Sequence, residues 1–386
     1  MAETNAFDLR LHGELIGRQG SRRSLNTPVL VLDLDALDRN IAAMSRVAAA
    51  RGVALRPHAK THKSVDIARR QVTAGAVGLC CAKLGEAETL AEGGVPGLHI
   101  TSPVVSPLAI ERLTALNATA ERLSVVADNP DNVAALAAAA DPASPLTVLV
   151  DIDPGIRRTG VASAEAAVAL ARAIEAAPTL TYGGVQFYCG REQHIEDFAE
   201  RRAAVEERTA YLKTVLEALA AAGLPAPIVT GSGTGTHRID LELGVFTELQ
   251  VGSYVFMDDQ YRACDLAGEG ADSAPYESSL FVDARVVSAN ADPLVTVDAG
   301  FKAFATEGQP PTVAAGAPDG ARFVFMGDEH GAVITPQASQ AMHVADRVVL
   351  NVPHCDPTVD LYDSYHVVSG DTLLDIWPVS ARGRSR

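Results

Sequence analysis

The sequence lacks any uninterrupted run of about 18 apolar residues, so it offers no segment of the length a membrane-spanning helix needs. It also lacks a basic excess: 32 Lys and Arg face 48 Asp and Glu, for a net charge of −16. A chain this acidic has no positive field to gather phosphates, so nucleic acid is not expected as a partner. Cysteine is scarce, with Cys80, Cys81, Cys189, Cys264 and Cys355 as the whole set. An odd count without a CxxC spacing argues against a disulfide framework or a structural zinc site. The opening MAETNAFDLRLHGE is polar and has no apolar core of a signal peptide, so a cytoplasmic location is expected. No internal repeat and no long low-complexity segment is visible, and AALAAAADPASP from Ala134 reads as an Ala-rich helix ending at a proline. What is present is 386 residues, 47% hydrophobic and 21% charged, which suits a globular chain of two domains.

Short β-branched runs alternate with Ala-rich helical stretches. TPVLVLDLDAL (from Thr27) predicts a strand, and Asp35 to Arg51 a helix with Leu37, Ile41 and Met44 at helical spacing. Further strands are expected at GVALRP (Gly52), AVGLCC (Ala76), GLHIT (Gly97), LSVVAD (Leu123), LTVLVDID (Leu146), YGGVQFY (Tyr182), PIVTGSG (Pro227) and ELQVGSYVFM (Glu248). Helical material such as EAAVALARAIEAA (Glu165) lies between most of them, the pattern of a parallel βα barrel. These make nine candidate strands, one too many for an eightfold barrel. Assigning the first to a second domain lets Gly52 open the barrel and puts Lys60 after its first strand. From about Asp265 strand-like runs separated by Gly, Asp and Pro turns replace the alternation (SSLFVDARVVSAN, LVTVDAG, GARFVFMG, DRVVLNVP, YHVVSGDTLLDIW). The expected organisation is an α/β, TIM-like barrel over residues 36–262. Residues 1–35 and 263–386 form a β-rich domain that takes the first strand.

LRPHAKTHKS sets Lys60 between His58 and His62. A lysine amine ordinarily titrates near pH 10 and is a poor nucleophile at neutral pH, but imidazoles and partial burial can lower that value. Taken alone, the decapeptide equally suits a solvated lysine. VTGSGTGT, Val229 to Thr236, offers Gly231, Gly233 and Gly235 to turn backbone N–H groups inward, with the hydroxyls of Ser232, Thr234 and Thr236. It follows the seventh barrel strand, and VGSY (Val251 to Tyr254) follows the eighth, the usual phosphate address of such barrels. A lysine after strand one and a phosphate cradle after strands seven and eight suggest pyridoxal 5'-phosphate in Schiff-base linkage. VPHCDPTVDLYD places His354 and Asp356 two apart in what reads as an extended segment, on one face, able to hold two positions of a metal. A plain turn reads the same residues equally well. Arg157 and Arg158 in DPGIRRTGV, and Gln186, Tyr188 and His194 in YGGVQFYCGREQH, are weaker candidates. FMGDEHG (Asp328, Glu329, His330) is either a structural turn or part of the site.

Together these blocks, with RPHAKTHKS, CCAKLGEAE, DPGIRRTGV, VQFYCGREQH, GSGTGT, VDAGFKA, GDEHG, PHCDPTVDLYD and IWPVSARGRSR in one order, resemble the D-threonine aldolase and D-serine dehydratase family. Its members depend on pyridoxal phosphate, and their fold (type III) is alanine-racemase-like. The resemblance covers nearly the whole chain. It implies that Lys60, with His58 beside it, carries the cofactor. Arg158 then lies near the phenolic oxygen, and Gln186 and Tyr188 near the ring or the substrate. Ser232, Gly233, Thr234, Gly235, Gly252, Ser253 and Tyr254 hold the phosphate. His354 and Asp356 take a divalent metal, and His194 is the candidate base.

In that family Asp at the second metal position accompanies D-threonine and 3-hydroxy-D-aspartate aldolases, and Cys accompanies D-serine and D-threo-3-hydroxyaspartate dehydratases. Asp356 therefore favours cleavage of D-β-hydroxy-α-amino acids to glycine and an aldehyde. A nitrogen and a hard oxygen favour Mn2+ or Mg2+ over Zn2+. One departure concerns the substrate side chain, because ITSPVV, around Ser102 and Pro103, stands where the aldolases commonly have Asn-Glu. The resemblance also implies a homodimer.

Overall fold

The first predicted strand, β1 (Val29–Asp33), leads straight into the helix Leu34–Ala50, and the Asp33 carboxylate caps that helix by accepting the Ala36 N–H at 3.0 Å. Leu37, Ile41, Met44 and Ala48 form the buried stripe of the helix, as its 3.6-residue period requires. The structure is a computed structural model and describes residues 5–270, 275–336 and 342–386.

The next eight strands are β2 (Ala54–Leu55), β3 (Cys80–Cys81), β4 (His99–Ile100), β5 (Ser124–Ala127), β6 (Leu146–Ile152), β7 (Leu180–Phe187), β8 (Ile228–Gly231) and β9 (Glu248–Leu249). All pair in parallel, in the order β2-β9-β8-β7-β6-β5-β4-β3. Between β2 and β3 the ring closes by a single bridge, His58 to Cys80, with Val77 N–H donating to Leu55 O and Cys80 N–H to Pro57 O, both at 2.8 Å. Arg56 reinforces this seam. Its guanidinium forks onto Glu248 at 2.9 and 2.8 Å and also donates to Gly97 O, tying β2 to β9 and to the turn before β4. The eightfold βα barrel expected from the sequence is present, with β1 outside it.

β1 instead lies in a nine-stranded mixed sheet, antiparallel to β10 (Leu280–Ala291) and parallel to a late strand. The others are β11 (Leu294–Val297), β12 (Val313–Ala315), β13 (Arg322–Phe325), β14 (Gly331–Ile334), β15 (Arg347–Asn351), β16 (Ser364–Ser369) and β17 (Thr372–Pro378). The order is β13-β14-β11-β10-β1-β16-β17, with β15 on β10 and β12 on β15. β12, β14 and the helix Ala6–His12 were not legible in the sequence: the two strands are only three and four residues long, and VAA carries little β preference.

Alternation along β1 splits its side chains. Leu30 and Leu32 join the large core cluster, while Val29 and Val31 pack with Leu25, Val368, Leu373 and Ile376. The large cluster runs through both sheets, with Val150 and Val185 of the barrel and Val282 and Leu350 of the mixed sheet among its members. β16 and the segment after β17 return the chain to the barrel, where Tyr365 Oη donates to His62 O at 2.6 Å and Ala381 N–H to Lys63 O at 2.9 Å.

Candidate active site

At the C-terminal end of the barrel a cavity of about 530 Å³ is bordered by His58, Lys60, Thr101, Arg158, Gln186, Tyr188, Gly233, Thr234, Gln250, Gly252, Ser253 and Tyr261, among others. Lys60 reaches it from a single 3-10 turn, Ala59–Thr61, that follows β2. The turn is fixed on both flanks: His58 bridges to Cys80 before it, and His62 O accepts the Tyr365 hydroxyl after it.

The Lys60 ammonium forms an ion pair with Asp356, which comes from the other sheet's side of the molecule, 296 residues away. Burial works against both charges, yet each stabilises the other. Asp356 is held well below the usual carboxylate range, mainly against its burial, by the Lys60 charge and hydrogen bond. Burial pulls the Lys60 amine down, but Asp356 and the Tyr188 phenol outweigh it and push the amine above its ordinary value. This corrects the expectation of a lowered lysine: the imidazoles around it are buried and neutral, and a carboxylate is the dominant neighbour. His58 is pushed well down by burial and by Lys60, and its Nε2 lies 3.2 Å from Thr101 Oγ1.

Arg158 lies over the Tyr188 ring, 5.5 Å from its centroid, so the two candidates from separate loops meet in the cavity wall. The Tyr188 phenol is raised by burial. Below them is a buried amide network that sequence reasoning caught only in part. Gln186 Nε2 donates to Asp151 Oδ1 at 2.9 Å and to Thr101 O at 3.1 Å, and its Oε1 accepts from Gln250 Nε2 at 3.2 Å. Gln250 was missed. The signal for it was the alternation Glu248, Gln250, Gly252 in ELQVGSY, which puts polar residues on the inward face of the last barrel strand.

Gly233, Thr234, Gly252 and Ser253 border the cavity from the loops after β8 and β9. Among the described residues their N–H groups have no acceptor within the chain. A Cβ at Gly233 would meet the Gln193 amide at 2.4 Å, and one at Gly252 would meet Thr61 Oγ1 at 2.7 Å, so side chains there would close the concavity. Four unengaged donors in a glycine-built concavity fit a phosphate. Ser232, Gly235 and Tyr254 do not border it. Gly235 N–H donates to Gln193 Oε1 at 3.0 Å, Tyr254 N–H to Thr234 Oγ1 at 3.0 Å, and the Tyr254 hydroxyl accepts from Gln71. They brace the cradle from behind, while Ser232 takes the left-handed turn at φ 69° that starts it.

His354 and Asp356 are not in one extended segment. Cys355–Val359 forms a single helical turn with His354 at its N-cap, because Pro357 lies in the first turn, where a missing N–H is harmless. His354 Nδ1 is 2.6 Å from Glu307 Oε1. A carboxylate on one ring nitrogen orients an imidazole and leaves the other as an electron-pair donor, the usual support of a metal-ligating histidine. Glu307 was missed, because nothing near it in sequence marks it.

His194 is exposed, at 4.5 Å between its ring and that of Tyr261, which borders the cavity. Burial, His354 and Lys60 lower its basicity, against the opposing charge of Asp356. Arg157 belongs to a turn: its N–H and that of Ile156 bond to Asp153 Oδ1 at 3.0 and 2.8 Å. Glu329 of FMGDEHG pairs with Lys302 on the surface, which favours the structural reading of that stretch.

Among the described residues, one other His and Asp cluster, Asp8, His12 and His366, has its ligand atoms within 4.8 Å. There Asn26 N–H donates to His12 Nε2 at 2.9 Å, so the proton of His12 is on Nδ1, 2.8 Å from His366 Nε2. That hydrogen bond joins the two imidazoles directly.

Comparison with known proteins agrees with this geometry. The pattern of the alanine racemase N-terminal domain matches residues 32–260, and that of a serine dehydratase domain matches 279–368. The chain is 40% identical to a 3-hydroxy-D-aspartate aldolase of Paracoccus denitrificans (strain Pd 1222), over 93% of each chain. It is 38% identical to a D-threonine aldolase of an Arthrobacter species, over 94% of each. The crystal structure of a D-threonine aldolase from Filomicrobium marinum superposes with a TM-score of 0.88 at 34% identity, covering 94% of this chain and 97% of that one.

Proposed function

The chain belongs to the family of the alanine racemase N-terminal domain, and from that premise we propose that it cleaves D-β-hydroxy-α-amino acids of the D-threonine type to glycine and an aldehyde. The observation that carries the reading is that Lys60, which borders a cavity with a glycine cradle, pairs with Asp356 behind it. An aldolase relative over nearly the full length supports the reaction class. The fold family implies pyridoxal phosphate.

Lys60 would hold the cofactor's carbonyl carbon, and the N–H groups of Gly233, Thr234, Gly252 and Ser253 its phosphate. Bound there, the cofactor supplies an electron sink for the pair left when the Cα–Cβ bond breaks. A Lys60 so engaged would give up its free ammonium, and with it the contact that now faces the buried Asp356 carboxylate. Asp356 and His354 would therefore hold a divalent cation, Mn2+ or Mg2+ by the hardness of the donors, which supplies Lewis acidity toward the substrate hydroxyl. His194, packed on Tyr261 of the cavity border, would receive the hydroxyl proton. Tyr188 and Arg158 stack to form the wall against which the amino acid lies. The buried floor of Gln186 and Gln250 excludes bulk water from the reacting bond.

The same reading includes the division into 36–262 and 1–35 plus 263–386, a cytoplasmic location and a homodimer. Five free, buried cysteines suit a reducing compartment. Val105 and Leu108, 66% and 67% exposed beside the cavity, suit an interface.

A second substrate reading, 3-hydroxy-D-aspartate, is favoured by one observation: Lys83 borders the cavity and adds an ammonium that a second carboxylate could meet. Incubating the protein with D-threonine, D-serine and D-3-hydroxyaspartate separates the readings. Glycine with an aldehyde is expected from D- but not L-threonine. A keto acid with ammonia would instead make the chain a dehydratase.

A further inference from the structure

Lys63 sits three residues after Lys60 in the left-handed region, at φ 48°. A side-chain-bearing residue is disfavoured there, and glycine would fit at less cost. Such a position persists where the side chain is held by its surroundings. The Lys63 side chain is only 7% exposed, and its ammonium lies 2.9 Å from Asp360 Oδ1, 3.5 Å from Glu86 Oε1 and 3.4 Å from Ser385 Oγ.

Each of these partners leads to a different part of the site. Asp360 is the C-cap of the helical turn Cys355–Val359 that carries Asp356. Glu86 uses its other oxygen, Oε2, to accept the N–H groups of Ala82 and Lys83 at 2.7 and 3.3 Å, and both of these residues border the cavity. The backbone of Lys63 itself continues the turn that presents Lys60, and its carbonyl accepts from Ala381 of the C-terminal segment. Lys60 and Asp356 come from elements that share no sheet, so their relative position depends on side-chain links of this kind. A buried ammonium shared by two carboxylates ties both to one point, since removing it would leave a buried charge unpaired.

We propose that Lys63 is a positioning residue for the cleavage reaction: it locks the turn of Lys60, the cavity wall at Ala82 and Lys83, and the Asp356 helix into one arrangement. The proposal rests on the aldolase reading for its activity readout, so the test carries a second readout that needs no turnover.

The test compares Lys63→Met, which keeps the stem and removes the charge, with Lys63→Arg and Asp360→Asn, each as the full-length protein. In Lys63→Met, kcat for glycine release is expected to fall at least tenfold while KM stays within threefold. Lys63→Arg is expected to recover most of that loss, and Asp360→Asn to lose three- to tenfold. Titrating each apo-protein with pyridoxal phosphate, and reading the absorbance that borohydride bleaches, should show affinity at least fivefold weaker in Lys63→Met. It should be nearly unchanged in Asp360→Asn, which leaves the Lys60 turn tied to Glu86.

If Lys63→Met folds and keeps both kcat and affinity within twofold, the proposal is overturned. It is overturned equally if Lys63→Arg is no better than Lys63→Met. Should Lys63→Met fail to fold, Asp360→Asn decides: wild-type kcat there sinks the proposal. A wild-type protein that binds pyridoxal phosphate but releases no glycine counts against the aldolase reading alone, and the affinity comparison then decides for Lys63.

Discussion

His354 shows how much of a site can depend on one unmarked residue. Its imidazole is competent as a ligand only if one nitrogen keeps a lone pair, and Glu307 on Nδ1 secures that tautomer. Removing the carboxylate while keeping the shape, in Glu307→Gln, is expected to raise about tenfold the Mn2+ or Mg2+ concentration that half-restores activity to chelated protein. Chelation itself should stop glycine release and leave the absorbance of the bound pyridoxal phosphate in place. If the metal titrations of Glu307→Gln and wild type coincide, Glu307 does not support a ligand. If the chelated protein cleaves at the full rate, His354 and Asp356 hold no functional metal.

At the scale of elements, the barrel is weakest where β2 and β3 share one bridge rather than a ladder, and there Arg56, held by Glu248 of β9, reaches past β2 to the turn before β4 through Gly97 O. Burial alone would raise the Glu248 carboxyl, but the hydrogen bonds and charge of Arg56 outweigh it and hold the group below its ordinary value. A carboxylate depressed on folding contributes stability that is present above its unfolded pKa and is lost as the pH falls through the lower folded value. Arg56→Met would strand a buried carboxylate and is expected to cost about 3–5 kcal/mol, read as a lower denaturation midpoint. Arg56→Met combined with Glu248→Leu should lose less than Arg56→Met alone, and should remove this part of the acid sensitivity. A double variant worse than the single one would mean that the pair adds net stability beyond satisfying its own charges.

Over the whole molecule, the two sheets share one apolar cluster, and β1, first in the chain, is in the sheet completed by the last strands. Neither sheet keeps its core if the other melts. Calorimetric unfolding is therefore expected as one transition, with the barrel and the mixed sheet lost together. Two resolved heat-absorption peaks, or a protease-resistant barrel fragment, would contradict this.

The sequence by itself determined the nine strand-like runs, the assignment of the first outside the barrel and the helix after it, read as Asp35 to Arg51 where the structure has Leu34–Ala50. Buried parallel strands are continuous apolar stretches, and amphipathic helices carry their period openly. It also determined the glycine cradle, because inward-turned N–H groups require residues without side chains at set spacings. Only the tertiary structure decided that Lys60 meets Asp356, that Glu307 meets His354, and that Gln250 and Tyr261 border the cavity while Ser232 and Tyr254 stand behind it. Local pattern specifies which way a side chain leaves its own element. Which side chain waits opposite is set by how distant elements pack, and that packing reversed the expected effect on Lys60 by placing a carboxylate beside it that outweighs its burial.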